Sequence, residues 1–326
     1  MRYTIDEIEQ DGFRTIRLAD QEADLCVSVA PEIGNNAFEM LHRGHDFLWR
    51  PEASLSSLRE KKLLFGIPFL APWANRLDQD RYWVNRTPYL INRELGNIRE
   101  DPRNQPIHGL LIFEPWEVES ASADAAGARL ACRYDFTARP KFMAQFPFAH
   151  QLEMTHTVRD GRLHVSVRIT SQSDEPSAVA VGFHPYFTLP NTNRDDWAIE
   201  VPALTHLALN NDKIPTGERT VVSNGRLWLR GIHLDDVYTD LVRNGTQHAE
   251  IKASCGNTGI RVGFGPKYSV AVVYAPEGRD FICIEPMAAI TNAFNMAHAG
   301  SYEELQYIAP QGRWEEEFWI KPALGE

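Results

Sequence analysis

Long apolar runs, paired cysteines and clustered basic residues are all scarce in this sequence of 326 residues. No apolar run is long enough to cross a bilayer, so we expect no membrane association. The first residues, Met1–Glu7, lack the apolar core of a signal peptide, which favours a cytoplasmic location. The four cysteines show no CxxC spacing, so neither a disulfide framework nor a structural zinc site is expected.

Basic residues are also fewer than acidic ones. The chain has 33 Lys and Arg against 44 Asp and Glu, which gives a formal net charge of −11. A nucleic-acid-binding protein usually carries a clustered basic surface, and no run of Lys or Arg could build one here. We therefore expect no nucleic-acid partner. Phosphate-binding Gly-rich loops, Ser nucleophile elbows and His-rich metal patterns are missing as well, so no metal site is predicted.

What the sequence does contain is a dense series of strand signals. Apolar and polar residues alternate over Leu163–Thr170, as expected for a half-buried strand. This stretch follows Asp160-Gly161, a hairpin turn signal, and the run His150–Val158. Other apolar or alternating runs predict further strands at Leu25–Ala30, Ala128–Phe136, Ala178–Phe183, Tyr268–Tyr274 and Phe281–Ile284.

Two more Asn-Gly pairs predict hairpins. One is Asn224-Gly225, and the other is Asn244-Gly245, which lies between the expected strands Asp240–Arg243 and His248–Ala253. Asn-Gly favours the left-handed backbone that a tight hairpin needs.

The overall pattern predicts an all-β fold, a large antiparallel β-sandwich. Short strands separated by Gly, Asn and Asp turns continue from end to end, and helical turns are expected only near Leu55–Lys62 and Tyr302–Tyr307. No Ser/Gly/Pro-rich linker interrupts the pattern, so we expect one domain over residues 1–326. Internal repeats are not evident, which argues against a propeller.

Four segments place polar side chains beside aromatic residues, Pro and Gly: Gly66–Leu77, Ile107–Gly109, Gly182–Phe187 and Ile284–Met287. In the third, one strand face carries only Ala178, Ala180 and Gly182 before it reaches His184. Such small side chains are typical of a place where a ligand or another backbone approaches closely. Taken alone, His184 also fits a core histidine bonded to a carbonyl.

Glu285 has a similar setting at the end of an apolar strand. Phe281 and Cys283 share its face of the strand, so the carboxylate is expected to be partly buried. Burial would raise its pKa towards the range useful for a general base. A glutamate at a strand end is also compatible with solvation or with an arginine partner.

Three other sites offer polar groups. Arg76 follows Asn75 after a Pro-rich loop, and its five N–H donors suit hydroxyl and ring oxygens. His108 precedes a glycine, and Asp235-Asp236 precedes a strand. Each also has an ordinary structural interpretation: a surface salt bridge for Arg76, loop capping for His108 and turn chemistry for the aspartates.

Together these segments resemble the aldose 1-epimerase (galactose mutarotase) family. The family's order is matched by Pro-Trp-Ala-Asn-Arg at 72–76, His-Gly at 108–109, Gly-Phe-His-Pro-Tyr-Phe at 182–187, Leu-Asp-Asp-Val-Tyr at 234–238 and Glu-Pro at 285–286. The resemblance runs from Gly66 to about Asn295. It implies a β-supersandwich with an open sugar-binding cleft and a cofactor-independent interconversion of the α and β anomers of a hexose.

The resemblance also implies roles for individual residues. Glu285 matches the general base and His184 the general acid, and the substrate-binding positions fall on Arg76, His108 and Asp235, with Asn75 beside them. Many family members have Asp-His where this chain has two aspartates, so Asp236 is the alternative to Asp235. The expected partner is a small-molecule sugar, and both a monomer and a homodimer are compatible with the sequence.

Two other functions remain open at this point. A hexose-6-phosphate mutarotase would need an added basic cluster near the cleft, for which Arg59, Lys61 and Lys62 are candidates. A non-catalytic carbohydrate-binding module on the same scaffold would not need both an acid and a base, so the presence of Glu285 and His184 favours an enzyme.

Overall fold

The computed structural model describes residues 1–222 and 225–325, which form 26 strands and three short helices. In chain order, the strands of the N-terminal half are β1 (Tyr3–Gln10), β2 (Phe13–Asp20), β3 (Leu25–Ala30), β4 (Asn36–His42), β5 (His45–Asp46), β6 (Phe69–Leu70), β7 (Arg81–Val84), β8 (Thr87–Leu90), β9 (Glu117–Asp124), β10 (Gly127–Asp135), β11 (His150–Arg159) and β12 (Arg162–Ser171).

The remaining strands are β13 (Ser177–Val179), β14 (Gly182–Phe183), β15 (Tyr186–Phe187), β16 (Ala198–Glu200), β17 (Ala203–Leu209), β18 (Pro215–Val221), β19 (Arg226–Trp228), β20 (Leu234–Leu241), β21 (Ala249–Cys255), β22 (Thr258–Phe264), β23 (Val270–Ala275), β24 (Ile282–Met287), β25 (Gln306–Ile308) and β26 (Arg313–Ala323). The helices are α1 (Leu55–Glu60), α2 (Pro140–Met143) and α3 (Ala293–His298), with single 3₁₀ turns at Arg93–Leu95 and Arg194–Asp196.

These strands form three large antiparallel sheets and two small ones. The first sheet has the order β1-β2-β3-β4-β5, the second has the order β19-β16-β21-β22-β26-β12-β11-β10-β9, and the third has the order β18-β17-β20-β23-β24-β14-β6, with β15 also paired to β24. The pairs β13-β25 and β7-β8 stand apart. This confirms the predicted all-β, large antiparallel β-supersandwich.

The second and third sheets pack face to face through aromatic side chains. The ring of Phe183 in β14 lies 4.8 Å from that of Phe318 in β26, and Tyr268 lies 6.1 Å from Phe318. A continuous cluster of buried apolar residues includes Tyr3 near one end of the chain and Ile320 near the other. Burial of this much apolar surface is the main stabilising contribution to such a fold.

The hairpin predicted at Asp160-Gly161 is confirmed. Both residues have left-handed backbones, with φ of 48° and 65°, as in the turns that match the twist of paired strands. The turn joins β11 to β12, and alternate residues of both strands are buried, as the sequence alternation indicates.

The prediction of a hairpin at Asn244-Gly245 is wrong. This turn joins β20 to β21, which belong to different sheets, so the chain crosses between layers instead of reversing within one. Asn244 Oδ1 accepts hydrogen bonds from the amides of Thr246 and His248, and the left-handed backbone falls on Gln247. The hairpin predicted at Asn224-Gly225 lies outside the described residues, which omit Asn224.

The helical turn expected near Leu55–Lys62 is confirmed as α1, but the one expected at Tyr302–Tyr307 is wrong. The chain there runs into β25, which pairs with β13. The side chain of Gln306 donates to the carbonyls of Lys267 and Ala288, so contacts with distant segments determine its conformation. The helix in this region is α3, which precedes the expected position.

The strand predicted at Ala178–Phe183 is split into β13 and β14. Ala180 and Val181 lie between them, and their carbonyls accept hydrogen bonds from the amides of Ala74 and Ala288. The interruption therefore allows a third segment to insert beside the strand. None of the described helices is long and apolar enough to span a membrane.

Candidate active site

The Pro-rich segment 66–77 lies at the centre of the candidate site, between two other chain segments. On one side, Trp73 forms a parallel bridge with Ala180 in the segment that leads to His184. On the other side, Ala71 forms a parallel bridge with Gly109, directly after His108. The two histidines, predicted from separate motifs, are therefore brought together by the segment between them.

The strand face of small side chains that precedes His184 packs against another strand and not against a ligand. A Cβ on Gly182 would lie 2.1 Å from Sδ of Met287 and 2.9 Å from the carbonyl oxygen of Pro286. Glycine is thus required where β14 meets β24. This close approach brings the end of β14 against the strand that carries Glu285.

His184 and Glu285 form a buried contact. Nε2 of His184 lies 3.4 Å from Oε1 of Glu285, and the two residues are 7% and 1% exposed. Tyr186 stacks on the imidazole with ring centroids 4.7 Å apart. Over residues 1–222 and 225–325, Nδ1 of His184 and Oε2 of Glu285 have no hydrogen-bond partner, so both retain unused hydrogen-bonding capacity.

Burial shifts the two groups in opposite directions. It raises the pKa of Glu285 well above the ordinary carboxyl value, and it lowers the pKa of His184 to about 4. The negative charge of Asp235 raises both pKa values, whereas the positive charge of Arg76 lowers both. Between the lowered pKa of His184 and the raised pKa of Glu285, the pair therefore holds a single proton and carries no net charge.

His108 is the third member of this cluster. Its ring lies 5.3 Å from that of His184 in an edge-to-face arrangement, and its main-chain amide donates to the carbonyl of Asn75. Burial, and then the positive charges of His184, Arg99 and Arg76, lower the pKa of His108 well below its usual value. The imidazole is neutral, so its two nitrogens provide one donor and one acceptor.

Arg76 is held beside the pair by an ion pair of its own. Its Nε donates to Oδ2 of Asp101 at 2.9 Å, and Asp101 also accepts from the amides of Arg103 and Gln105. These bonds fix the guanidinium, while its charge still lowers the pKa of Glu285. Asn75 supports the site through its main chain: its backbone is left-handed, with φ of 56°, and its carbonyl accepts the hydrogen bond from the amide of His108.

The sheet register places Asp235 on the same face as Glu285. Asp235 in β20 is opposite Tyr274 in β23, which is opposite Cys283 in β24. Glu285 lies two residues beyond Cys283, and alternate residues of a strand share a face. Asp235 is only 20% exposed at its side chain and pairs with Lys213 Nζ at 3.0 Å.

Asp236, the alternative to Asp235, points to the other face of the same sheet. Its Oδ1 lies 2.8 Å from Nε2 of His206 on the neighbouring strand β17. The two aspartates therefore have separate partners, and Asp235 is the one whose charge acts on His184 and Glu285.

One arrangement in the site was not expected from the sequence. Ligand atoms of His184, Cys283 and Glu285 lie within 4.8 Å of one another, close enough to contact a single metal ion. Nitrogen, thiolate and carboxylate donors suit Zn²⁺. Two of the three are the residues predicted as acid and base, so a metal bound here would compete with that role.

Other residues at the site had no clear signal in the sequence. Trp49 lies against Phe281 and Tyr186, with ring centroids 4.5 Å and 5.7 Å away, and forms an aromatic wall beside His184. Arg99 lies in an irregular loop, and its charge lowers the pKa of both site histidines. Neither position belongs to a motif, because each reaches the site only through tertiary contacts.

Known proteins resemble this chain both in sequence and in structure. The family described as aldose 1-epimerase matches residues 39–321. The uncharacterized protein YihR of Escherichia coli K12 is 28% identical over 149 residues, which are 45% of this chain and 44% of that protein. The chain therefore matches less than half the length of this relative.

Solved structures show the same fold over the whole chain. A galactose mutarotase-like protein of Clostridium acetobutylicum has a TM-score of 0.87 at 19% identity, over 98% of this chain and 99% of the other. The galactose 1-epimerase of Lactobacillus acidophilus has a TM-score of 0.76 at 16% identity, over all of both chains. With the family match covering most of its length, this chain belongs to the aldose 1-epimerase family.

Proposed function

We propose that this protein is an aldose mutarotase, which interconverts the α and β anomers of a hexose without a cofactor. The observation that carries the proposal is the buried contact between His184 Nε2 and Glu285 Oε1, 3.4 Å apart. A carboxylate and an imidazole that share one proton can remove a proton at one sugar oxygen and supply one at another. Membership of the aldose 1-epimerase family supports the same class of reaction.

The reaction follows from this single proton. In the reactive form of the pair, the shared proton has moved from Glu285 to His184 across their 3.4 Å contact, which leaves a carboxylate and an imidazolium. The carboxylate of Glu285 then takes the proton of the O1 hydroxyl while the imidazolium of His184 delivers its proton to the ring oxygen O5. The C1–O5 bond breaks, C1 becomes an aldehyde, and rotation about C1–C2 exposes its other face. On reclosure the O5 hydroxyl returns its proton to His184, and O1 takes the proton back from Glu285. No atom is oxidised or reduced, and the pair ends as it began.

The surrounding residues are proposed to bind the sugar. The neutral imidazole of His108 and the guanidinium of Arg76 offer donors to hydroxyl groups, and Arg76 steadies the negative charge that develops during ring opening. Asp235 is proposed as an acceptor for a sugar hydroxyl, and Asn75 as a further contact beside Arg76.

We further propose that the enzyme works in the cytoplasm on a small-molecule sugar. The four cysteines are unpaired, as is usual for proteins of a reducing compartment. Both a monomer and a homodimer remain compatible with this role, because the proposed site is built within one chain.

The function is tested by polarimetry on freshly dissolved α-glucose and α-galactose, with the spontaneous rate subtracted and with a chelator present. The wild-type protein should accelerate anomer exchange, since the proposed chemistry needs no metal. Glu285→Gln and His184→Asn should each lower the rate by roughly 10²–10⁴-fold, because each removes one half of the acid–base pair.

Matched controls are Glu9→Gln in β1 and His45→Asn in β5, which make the same chemical changes in the first sheet. Circular dichroism verifies that all variants fold. A near-wild-type rate in Glu285→Gln would refute the assignment of the base. Tight sugar binding by the wild type with no anomer exchange would instead favour a non-catalytic carbohydrate-binding module.

A further inference from the structure

A cavity of about 610 Å³ lies beside the loop that carries His108. Its lining includes Gly109, the residue directly after His108, and three basic residues: Arg99, Lys61 and Lys62. Arg59, which the sequence grouped with the two lysines, instead lies over the ring of Phe13, 5.6 Å from its centroid. The basic character of the cavity therefore comes from the end of α1 and from the loop that precedes His108.

Arg99 lines this cavity and is anchored beside the loop of His108. Its carbonyl accepts from the amide of Ile107, and its Nη1 donates to the carbonyl of Lys62 at 2.7 Å. The charge of Arg99 is close enough to lower the pKa of both His184 and His108. Because Arg99 is bonded to the residue before His108 and shares the cavity lining with the residue after it, a group held by Arg99 would lie on the His108 side of the site.

Arg99 also lacks the partner that a half-buried arginine usually has. Over residues 1–222 and 225–325, no carboxylate lies within 4.0 Å of Arg99, Lys61 or Lys62, although the chain carries eleven more acidic than basic residues. Arg76, by contrast, is paired with Asp101. Burial of the Arg99 guanidinium is unfavourable without an anion, so the site is suited to receive one.

The acidic residues of the cavity do not supply that anion. Glu100 is bound by Nη1 of Arg93, and Oε2 of Glu114 accepts from the hydroxyl of Tyr134 at 3.3 Å. Three basic side chains thus face two carboxylates that already have partners elsewhere.

We propose that this cavity binds an anionic substituent of the sugar, with Arg99 as the residue that anchors it. The inference rests on the proposed mutarotase function. O5, to which His184 delivers its proton, is bonded to C5, and C5 carries C6. A charged group on C6 therefore lies on the ring-oxygen side of the sugar. This is the side of His184, on which the charge of Arg99 acts. The planar guanidinium matches the oxygens of a phosphate, sulfonate or carboxylate, and Lys61 and Lys62 add attraction at longer range.

The test compares kcat/KM for anomer exchange on glucose with the values for three sugars charged at C6: glucose 6-phosphate, 6-deoxy-6-sulfoglucose and glucuronate. At least one charged sugar should be preferred to glucose by 10-fold or more, and the preference should shrink at high salt. Arg99→Gln should lower that preference at least 10-fold, and Arg99→Lys should retain part of it.

Arg103→Gln is the control, because Arg103 lies in the same loop, is half exposed and is not part of the cavity lining. Its preference for the charged sugar should equal that of the wild type. Exchange of glucose as fast as of every charged sugar would overturn the inference and leave the mutarotase function standing.

If no sugar is exchanged, the proposed function fails, and calorimetric titration with the same charged sugars tests the anion site directly. Binding that Arg99→Gln weakens at least 10-fold would support the site, and no binding of any charged sugar would overturn it.

Discussion

At the scale of single residues, the main feature is the balance of charge around His184 and Glu285. Asp235 favours protons on both groups and Arg76 disfavours them on both, while burial opposes a net charge of either sign. This arrangement keeps one proton in the pair over a wide range of pH. A pair exposed to water would instead titrate as two independent groups.

The neighbouring aspartates Asp235 and Asp236 offer a matched comparison. Asp235→Asn should lower kcat/KM for anomer exchange by roughly 10–100-fold, because a buried hydrogen bond between a charged group and the sugar is worth about 1.5–3 kcal/mol. Asp236→Asn makes the same change on the opposite face, beside His206, and should retain wild-type activity. The reverse order of effects, measured by polarimetry, would show that Asp236 is the residue that binds the sugar.

The sequence indicated which residues come together at the site, but it did not indicate what surrounds them. The motifs indicated Glu285, His184, His108 and Arg76 as candidates, and partial burial of Glu285 was expected from the strand pattern. The position of Arg99, which has no carboxylate partner among the described residues, was not predictable. Its loop contacts Lys62 and Ile107 only after the chain has folded.

At the scale of elements, the site depends on how closely backbones approach. Gly109 has φ of 65°, and a Cβ on it would lie 2.2 Å from the carbonyl oxygen of Ala71. Ala71 belongs to the central Pro-rich segment, so a side chain here would push that segment away from His108.

Gly109→Ala should destabilise the protein by roughly 2–4 kcal/mol, the sum of backbone strain and overpacking, and should also lower activity. Gly44→Ala is the control: its φ is 77°, but a Cβ there meets nothing within 4 Å, so only about 1 kcal/mol of strain is expected. Both free energies of unfolding are measurable by denaturant titration. Equal losses in the two variants would contradict the steric explanation.

Local patterns predicted the strands well but not their partners. The turn at Asp160-Gly161 closes a hairpin as expected, whereas the same kind of signal at Asn244-Gly245 leads from one sheet to another. Sheet pairing depends on which apolar faces become buried together, and a dipeptide carries no information about that.

At the scale of the whole molecule, the sheets share one apolar core, and we propose on this basis that residues 1–326 form a single domain. The core also encloses titratable groups, which link stability to pH. His156 in β11 is 1% exposed, and burial lowers its pKa to about 3. The unfolded chain takes up a proton on this histidine below about pH 6.5, but the folded chain does not.

Stability should therefore fall as the pH falls from about 6.5 towards 3. Between pH 7 and pH 5, His156 alone should cost roughly 2 kcal/mol, since each pH unit below 6.5 is worth about 1.4 kcal/mol. Denaturant titrations at both pH values should show that His156→Leu loses less stability on acidification than the wild type or than His45→Leu, whose ring is partly exposed. An unchanged pH dependence in His156→Leu would contradict the assignment.

The claim that a buried carboxyl–imidazole pair holding one proton moves the protons of the sugar is tested most directly by the pH dependence of kcat/KM. Rates are taken only where fluorescence shows that the protein remains folded. We predict that kcat/KM falls on the acid side only near pH 4, where the pair takes up a second proton, and on the alkaline side only above the raised pKa of Glu285. Loss of activity as the pH falls through about 6.5, the value of a solvated histidine, would contradict the account.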